Sequence, residues 1–317
     1  MLKDLLTTAD LTPADLAYVL DLAAAFKAAP RRSSTLERET VVLYFNKAST
    51  RTRVSFETAV ARLGGTPIMV GPSDLQLGRG ETIEDTARVV SRYARAFVIR
   101  TFADDDVRRF AAAASIPVVN ALTDLHHPCQ SLADLLTLRE RLGPLVGRRV
   151  AYVGAGNNVA HSLLEAGALA GLEVRIGTPR DYGPDPRIVA RARVIAATTG
   201  ARIVLTHDPG EAVAGVDAVY TDVWTSMGDT DSERELRARI AALVPFQVNA
   251  ELLAYAAPHA IFLHCLPDHR GEEVTADVVD GPRSVVFDQA ENRLHTAVAV
   301  LEALLGGALA GQPEVLL

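Results

Sequence analysis

Cysteine is nearly absent from this chain. Cys129 and Cys265 are the only two in 317 residues, which excludes a disulfide framework and fits a reducing compartment. Lysine is almost as rare, with Lys3, Lys27 and Lys47 against 29 arginines. No apolar run approaches the roughly 20 residues needed to span a bilayer; the stretch Ala111–Ala114 is typical. The start carries Lys3, Asp4, Asp10 and Asp15, so it lacks the continuous apolar stretch of a signal peptide, and a cytoplasmic protein is expected. Positive charge is not in excess either. The balance is −7, which removes any global attraction to nucleic acid or an anionic membrane. An anionic ligand must therefore be held by a local site. There is no G-x-x-x-x-G-K-[ST] segment, so the nucleotide P-loop is excluded as well. Repeats, low-complexity tracts and charge blocks are also missing.

What is present is an ordinary globular composition, 49% apolar and 22% charged, in a chain long enough for two domains. Short apolar runs alternate with helical periodicity, the pattern of doubly wound parallel sheets. In the first half, strands are expected at Thr40–Asn46, Pro67–Val70, Ala96–Arg100 and Val118–Leu122. Helices are expected at Ser49–Leu63, closed by Gly64-Gly65, at Ile83–Arg95, and from Pro128 to about Arg141. The second half predicts strands at Arg149–Val153, Glu173–Ile176, Arg202–Leu205, Ala218–Thr221, Ile261–Cys265 and Ser284–Phe287. Its helices are Asn158–Ala170, Pro184–Thr199 and a closing Asn292–Ala310. The stretch Thr225–Val244 is long for a connection and reads as a lid. The domain boundary falls near residue 140, giving 1–140 with 291–317 packing back on it, and 141–290.

Polar groups gather where predicted strands end, the edge at which open α/β sheets bind ligands. Ser49-Thr50-Arg51-Thr52-Arg53 places three hydroxyls and two guanidiniums at a helix N-terminus, where unpaired N–H groups and the helix dipole favour an anion. A capped helix with solvated arginines is the plainer alternative. Arg100, His126-His127-Pro128-Cys129-Gln130 and His264-Cys265-Leu266-Pro267 fall at three further strand ends. In the second half, Gly154-Ala155-Gly156-Asn157-Asn158 resembles the start of a dinucleotide fingerprint. Val159 stands where the third glycine belongs, and no acidic residue follows Ile176-Gly177-Thr178-Pro179 to hold a ribose. That turn can still present Asn157 or Asn158 to a small polar molecule. Asp222 ends another strand, where it suits a substrate cation or a helix cap, and Ser226-Met227-Gly228 opens the presumed lid.

Assembled in order, these motifs resemble the ornithine carbamoyltransferase family across essentially the whole chain. The carriers are Ser-Thr-Arg-Thr-Arg at 49–53, Gln76-Leu77-Gly78, Glu84 to Arg88, His127-Pro128-Cys129-Gln130 and Asn157-Asn158. Asp222, Ser226-Met227-Gly228, His264-Cys265-Leu266-Pro267 and Glu291-Asn292-Arg293 complete the series. The resemblance implies transfer of a carbamoyl group from carbamoyl phosphate to the δ-amine of L-ornithine. It implies a carbamoyl-phosphate domain and a Rossmann-like ornithine domain joined by long helices, with no metal or organic cofactor, and a homotrimer with shared sites.

On matching positions, Ser49, Thr50, Arg51 and Thr52 would hold the phosphate. Arg100, His127, Gln130, Arg293, Cys265 and the Leu266 backbone would hold the carbamoyl end, and Gln76 would come from a neighbouring subunit. Leu122, Asn158, Asp222, Ser226 and Met227 would bind ornithine. The resemblance makes Arg51, Arg100, His127 and Cys265 the catalytic group. Two departures stand out: Ala155 where many relatives carry aspartate, and Asp268 after Cys-Leu-Pro where a small residue is more usual. The readings that compete are a carbamoyltransferase for another amine, a non-catalytic anion-binding paralogue, and a nicotinamide dehydrogenase.

Overall fold

A computed structural model describes residues 2–29, 33–77, 80–225 and 232–306 of the chain. These divide into two compact units. One takes the chain up to Ala133 and resumes at Glu291; the other is Asp134–Ala290.

The first unit runs α1 (Pro13–Ala28), β1 (Thr40–Phe45), α2 (Thr50–Arg62), β2 (Thr66–Val70), α3 (Ile83–Val90), β3 (Ala96–Arg100), α4 (Asp104–Ala113), β4 (Val118–Leu122) and the start of α5 (Pro128–Leu142). Its sheet is parallel, in the order β2-β1-β3-β4. Parallel strands are covered on both faces and so read as unbroken apolar runs. All five residues of β3 are buried, whereas the edge strand β2 is half exposed. Behind the sheet Phe97 stacks on Phe110, centroids 4.0 Å apart, each ring contributing about 2–3 kcal/mol by leaving water. Helix starts follow local chemistry. Thr12 and Asp15 form a reciprocal capping box at α1, with Pro13 at its first position, where proline costs no hydrogen bond.

The second unit continues with β5 (Arg149–Val153), α6 (Asn158–Leu169), β6 (Glu173–Gly177), α7 (Pro186–Thr199), β7 (Arg202–Thr206), α8 (Pro209–Val213) and β8 (Ala218–Thr221). It closes with α9 (Glu233–Leu243), α10 (Ala250–Leu253), β9 (Ile261–His264), α11 (Ala276–Val279) and the start of α12 (Val286–Leu305). The sheet is again parallel, in the order β7-β6-β5-β8-β9. Tyr152 and Tyr220, both fully buried, meet edge to face across β5 and β8. No described helix is long and apolar enough to cross a membrane.

The two doubly wound parallel sheets are those the sequence predicts; two local expectations fail and one helix is not anticipated. Ser284–Phe287 is not a strand. Only Ser284 bridges, to Phe262, and the chain then turns into α12 at Val286. The β-branched pair Val285-Val286 imitates a strand, while Gln289 supplies the helix side that His264 N–H and Asp134 need, at 2.9 and 2.7 Å. Thr225–Val244 is not one long loop, because α9 occupies its second half. The helix between Arg100 and Val118, α4, has no counterpart among the predicted elements.

Candidate active site

In the first unit β1, β3 and β4 are neighbours, so the turns after Phe45, Arg100 and Leu122 share one sheet edge. Backbone bonds tie those turns together: Asn46 N–H to Arg100 O at 2.8 Å, and Thr101 N–H to Leu122 O at 3.0 Å. The pairing slips between Ile99 and Arg100, a bulge that re-aims the last side chain. Arg100 is left only 9% exposed.

Ser49 caps α2, its hydroxyl accepting from Thr52 N–H at 3.3 Å. Thr50 is exposed, Arg51 half-buried and Thr52 buried. Arg53 belongs elsewhere; it pairs with Glu57 one turn on, at 3.1 Å, with both side chains solvated. Arg293 is the centre of the group. One guanidinium nitrogen donates to Thr52 Oγ1 at 3.1 Å, the other to Gln130 Oε1 and to His127 Nε2, the latter at 3.2 Å. Since His127 Nε2 accepts, its proton sits on Nδ1. Burial holds this imidazole's pKa well below the usual histidine range, and Arg293, Arg100 and Arg51 add repulsion to its cation. His127 is therefore neutral at pH 7.

Three guanidiniums around a neutral imidazole, beside a helix N-terminus, make a site for a polyanion with a polar neutral end. The structure thus brings Ser49, Arg51, Thr52, Arg100, His127, Gln130 and Arg293 to one region. Gln76 lies exposed on the connection after β2, and no described contact brings it there. Leu122 is half-buried at the end of β4, opposite Arg100.

In the second unit the adjacent strands β5, β8 and β9 deliver another polar edge. The turn after β5 is pinned: Gly156 N–H donates to Tyr182 O at 2.7 Å. A Cβ on Gly156 would lie 2.2 Å from Pro184 N. That glycine serves a close approach of the chain to itself, which fills the place where a dinucleotide's pyrophosphate needs access to the turn. Asn157 caps α6, accepting from Val159 and Ala160 N–H, and Asn158 is the first helical residue. Asp222, just past β8 and 6% exposed, accepts from Asn157 Nδ2 at 2.6 Å and from the Cys265 thiol at 2.9 Å. His264, fully buried, accepts Leu266 N–H on Nδ1 at 2.9 Å and presents Nε2 to Glu273 at 3.2 Å. Leu266 sits at φ 56°, a left-handed conformation that strains a branched side chain and concentrates at functional turns.

Asp222, His264 and Cys265 offer donor atoms within 4.8 Å of one another, as do His269, Glu272 and Glu273. Hydrogen bonds already engage most of the first three, including the Asp222–Cys265 bond itself. Asp268 is matched locally by Arg270, at 2.9 Å, which also pairs with Asp280. Ser226 and Met227 lie outside the described residues. Asn157, offered by the sequence as an alternative to Asn158 for a small polar molecule, turns out to be the cap of α6 and a partner of Asp222.

An arginine-lined anion edge on one parallel sheet and a carboxylate–thiol edge on the other define a two-unit α/β group-transfer protein. The chain belongs to the aspartate/ornithine carbamoyltransferase family. Residues 3–140 match that family's carbamoyl-P binding domain and residues 146–304 its Asp/Orn binding domain. Ornithine carbamoyltransferase of Acidothermus cellulolyticus is 55% identical over 309 residues, covering 97% of this chain and 98% of that protein. The Parafrankia sp. protein of the same name is 54% identical over 313 residues, covering 98% of each. Among solved structures, ornithine carbamoyltransferase from Pyrococcus furiosus matches with TM-score 0.92 and 48% identity, covering 96% of this chain and 98% of that one. The enzyme from Gloeobacter violaceus matches with TM-score 0.87 and 47% identity, covering 96% and 99%.

Proposed function

We propose that this protein is an ornithine carbamoyltransferase, moving the carbamoyl group of carbamoyl phosphate to the δ-amine of L-ornithine to give L-citrulline and phosphate. The observation that carries the reading is the convergence of Arg51, Arg100 and Arg293 on a neutral His127. A donor that is dianionic at one end and a neutral amide at the other needs that combination.

We assign the phosphate to Ser49, Thr50, Arg51 and Thr52, and the carbamoyl group to Arg100, His127, Gln130 and Arg293. Cys265 and the Leu266 backbone keep the carbamoyl-end roles the resemblance implies. Asp222 and Asn158, with Leu122, Ser226 and Met227, are assigned to ornithine. An amine like ornithine's has a pKa near 10.4, so freeing it at pH 7 costs roughly 4.6 kcal/mol. Exclusion of water and nearby guanidiniums lower that cost.

The nitrogen lone pair forms the new C–N bond, and negative charge builds on the carbonyl oxygen. Arg100, the neutral His127 and the Thr52 hydroxyl are donors suited to that oxyanion. The C–O bond to phosphate then breaks, the electron pair leaving with phosphate, which also takes the amine's proton. No protein general base is required, and the rate comes from positioning and fixed charge.

The finer assignments are a homotrimer, supported by the exposure of Gln76, a role in arginine biosynthesis, and the cytoplasm, supported by two free cysteines. The test is ureido-product formation from carbamoyl phosphate with ornithine, N-acetylornithine, lysine, putrescine and aspartate in parallel. Strong preference for ornithine is expected. Preference for another amine would reassign the second unit's pocket, and no product from any of them would leave an anion-binding paralogue.

A further inference from the structure

We propose that Asn157 is a positioning residue for the amine substrate: its side-chain amide holds the Asp222 carboxylate in the orientation that receives the α-ammonium of ornithine. This rests on the assignment of Asp222 to ornithine made above.

The two ends of the Asn157 amide face different partners. Its oxygen meets three donors: Val159 N–H at 3.0 Å, Ala160 N–H at 3.2 Å and the Tyr152 hydroxyl at 3.1 Å. Donors can only face an oxygen, so the NH2 end is forced to the other side. There it meets Asp222 Oδ2 at 2.6 Å. The orientation is locked from behind as well. Tyr152 is fully buried and packs edge to face on Tyr220, centroids 5.7 Å apart. Burial, followed by the nearby Asp222 charge, pushes its hydroxyl far above the ordinary tyrosine range, so it remains a donor. The backbone on either side is fixed by the Gly156 approach to Pro184 and by the first turn of α6.

Both groups that hold Asp222, the Asn157 amide and the Cys265 thiol, are neutral donors, one to each carboxylate oxygen. Each oxygen keeps a further lone pair. An arginine in place of Asn157 would also fix the carboxylate but would cancel its charge. A neutral amide orients Asp222 and leaves the full charge for a substrate ammonium.

Asn157→Asp tests this with little change of shape. Aspartate is an equally good helix cap and accepts the same three donors, but it turns an acceptor toward Asp222. The expected result is an ornithine KM raised at least tenfold, with the carbamoyl phosphate Kd unchanged. Asn157→Ser keeps a capping hydroxyl without the added charge and is expected to raise the ornithine KM severalfold; it decides the matter if the aspartate variant fails to fold. If Asn157 only caps α6, the folded variants keep the wild-type ornithine KM, and the proposal is overturned. Wild type and Asp222→Asn are measured alongside. An Asp222→Asn variant with normal ornithine KM overturns the underlying assignment, whereas an impaired one beside silent Asn157 variants overturns only the positioning role.

Discussion

The two units use the same architecture for opposite electrostatic ends. At the edge of the first sheet, cations crowd together: burial keeps His127 neutral, and Arg293, Arg100 and Arg51 add repulsion to its cation. At the edge of the second, one carboxylate, Asp222, is held by an amide and a thiol. Guanidiniums repel one another, so the first edge is stabilised most when an anion joins it. The second edge keeps a single uncancelled negative charge and gains most from a cation. Parallel sheets deliver loops to one edge, and the sign of what those loops carry decides which ligand each half attracts.

The largest effect is expected from Arg51→Ala. Losing one of the convergent cations should lower turnover of carbamoyl phosphate by about a thousandfold, the scale of a removed transition-state donor. Steady-state kinetics checks this, and a melting temperature near wild type shows that the fold survives. A loss of only a few fold would place the anion elsewhere. Asp222→Asn comes next. A charge-assisted hydrogen bond is worth about 1.5–3 kcal/mol, so ornithine kcat/KM should fall roughly ten- to a hundredfold. Equal weakening of both substrates would erase the division between the two edges.

Gly156→Ala should destabilise the fold by about 1–3 kcal/mol through overpacking, because a Cβ there would lie 2.2 Å from Pro184 N. Denaturant titration reads that loss directly. The smallest effect is a pH dependence. His127 has a lower pKa folded than the ordinary 6.5 of the unfolded chain. Below about pH 6.5 the unfolded state gains a proton that the folded state refuses. The stability contributed by neutral His127 is thus complete above pH 6.5 and is lost as pH falls toward its folded value. Melting curves from pH 7.5 to 5 should show a shallower acid decline for His127→Asn than for wild type; parallel curves would contradict it.

Much of this was legible in the residues. Strand ends could be located because β3, β4 and β8 are buried on both faces and read as apolar runs, and the polar groups just beyond them follow. Other features carried no pattern. Helix α9 buries only Leu243, and its short stripe of Leu236, Ile240 and Leu243 is outnumbered by arginine and glutamate, so it does not stand out. Val285-Val286 looks like a strand because β-branching favours one, yet the chain has a single bridge to make there before its helix begins. Arg51 and Arg53 are equivalent by composition. The family resemblance selects Arg51, and the helix geometry separates the two physically, leaving Arg51 half-buried and pairing Arg53 with Glu57. Asn157 was a candidate in the sequence, but its pairing with Asp222 was not legible: that depends on which way an amide faces, which is fixed by Tyr152 and the first turn of α6.

The most direct test of the division between the two edges is calorimetric titration of carbamoyl phosphate into Arg51→Ala and Asp222→Asn beside wild type. The structure predicts that the first variant loses binding while the second binds as wild type does. Loss in both variants, or in neither, would contradict the assignment of anion and cation to separate sheet edges.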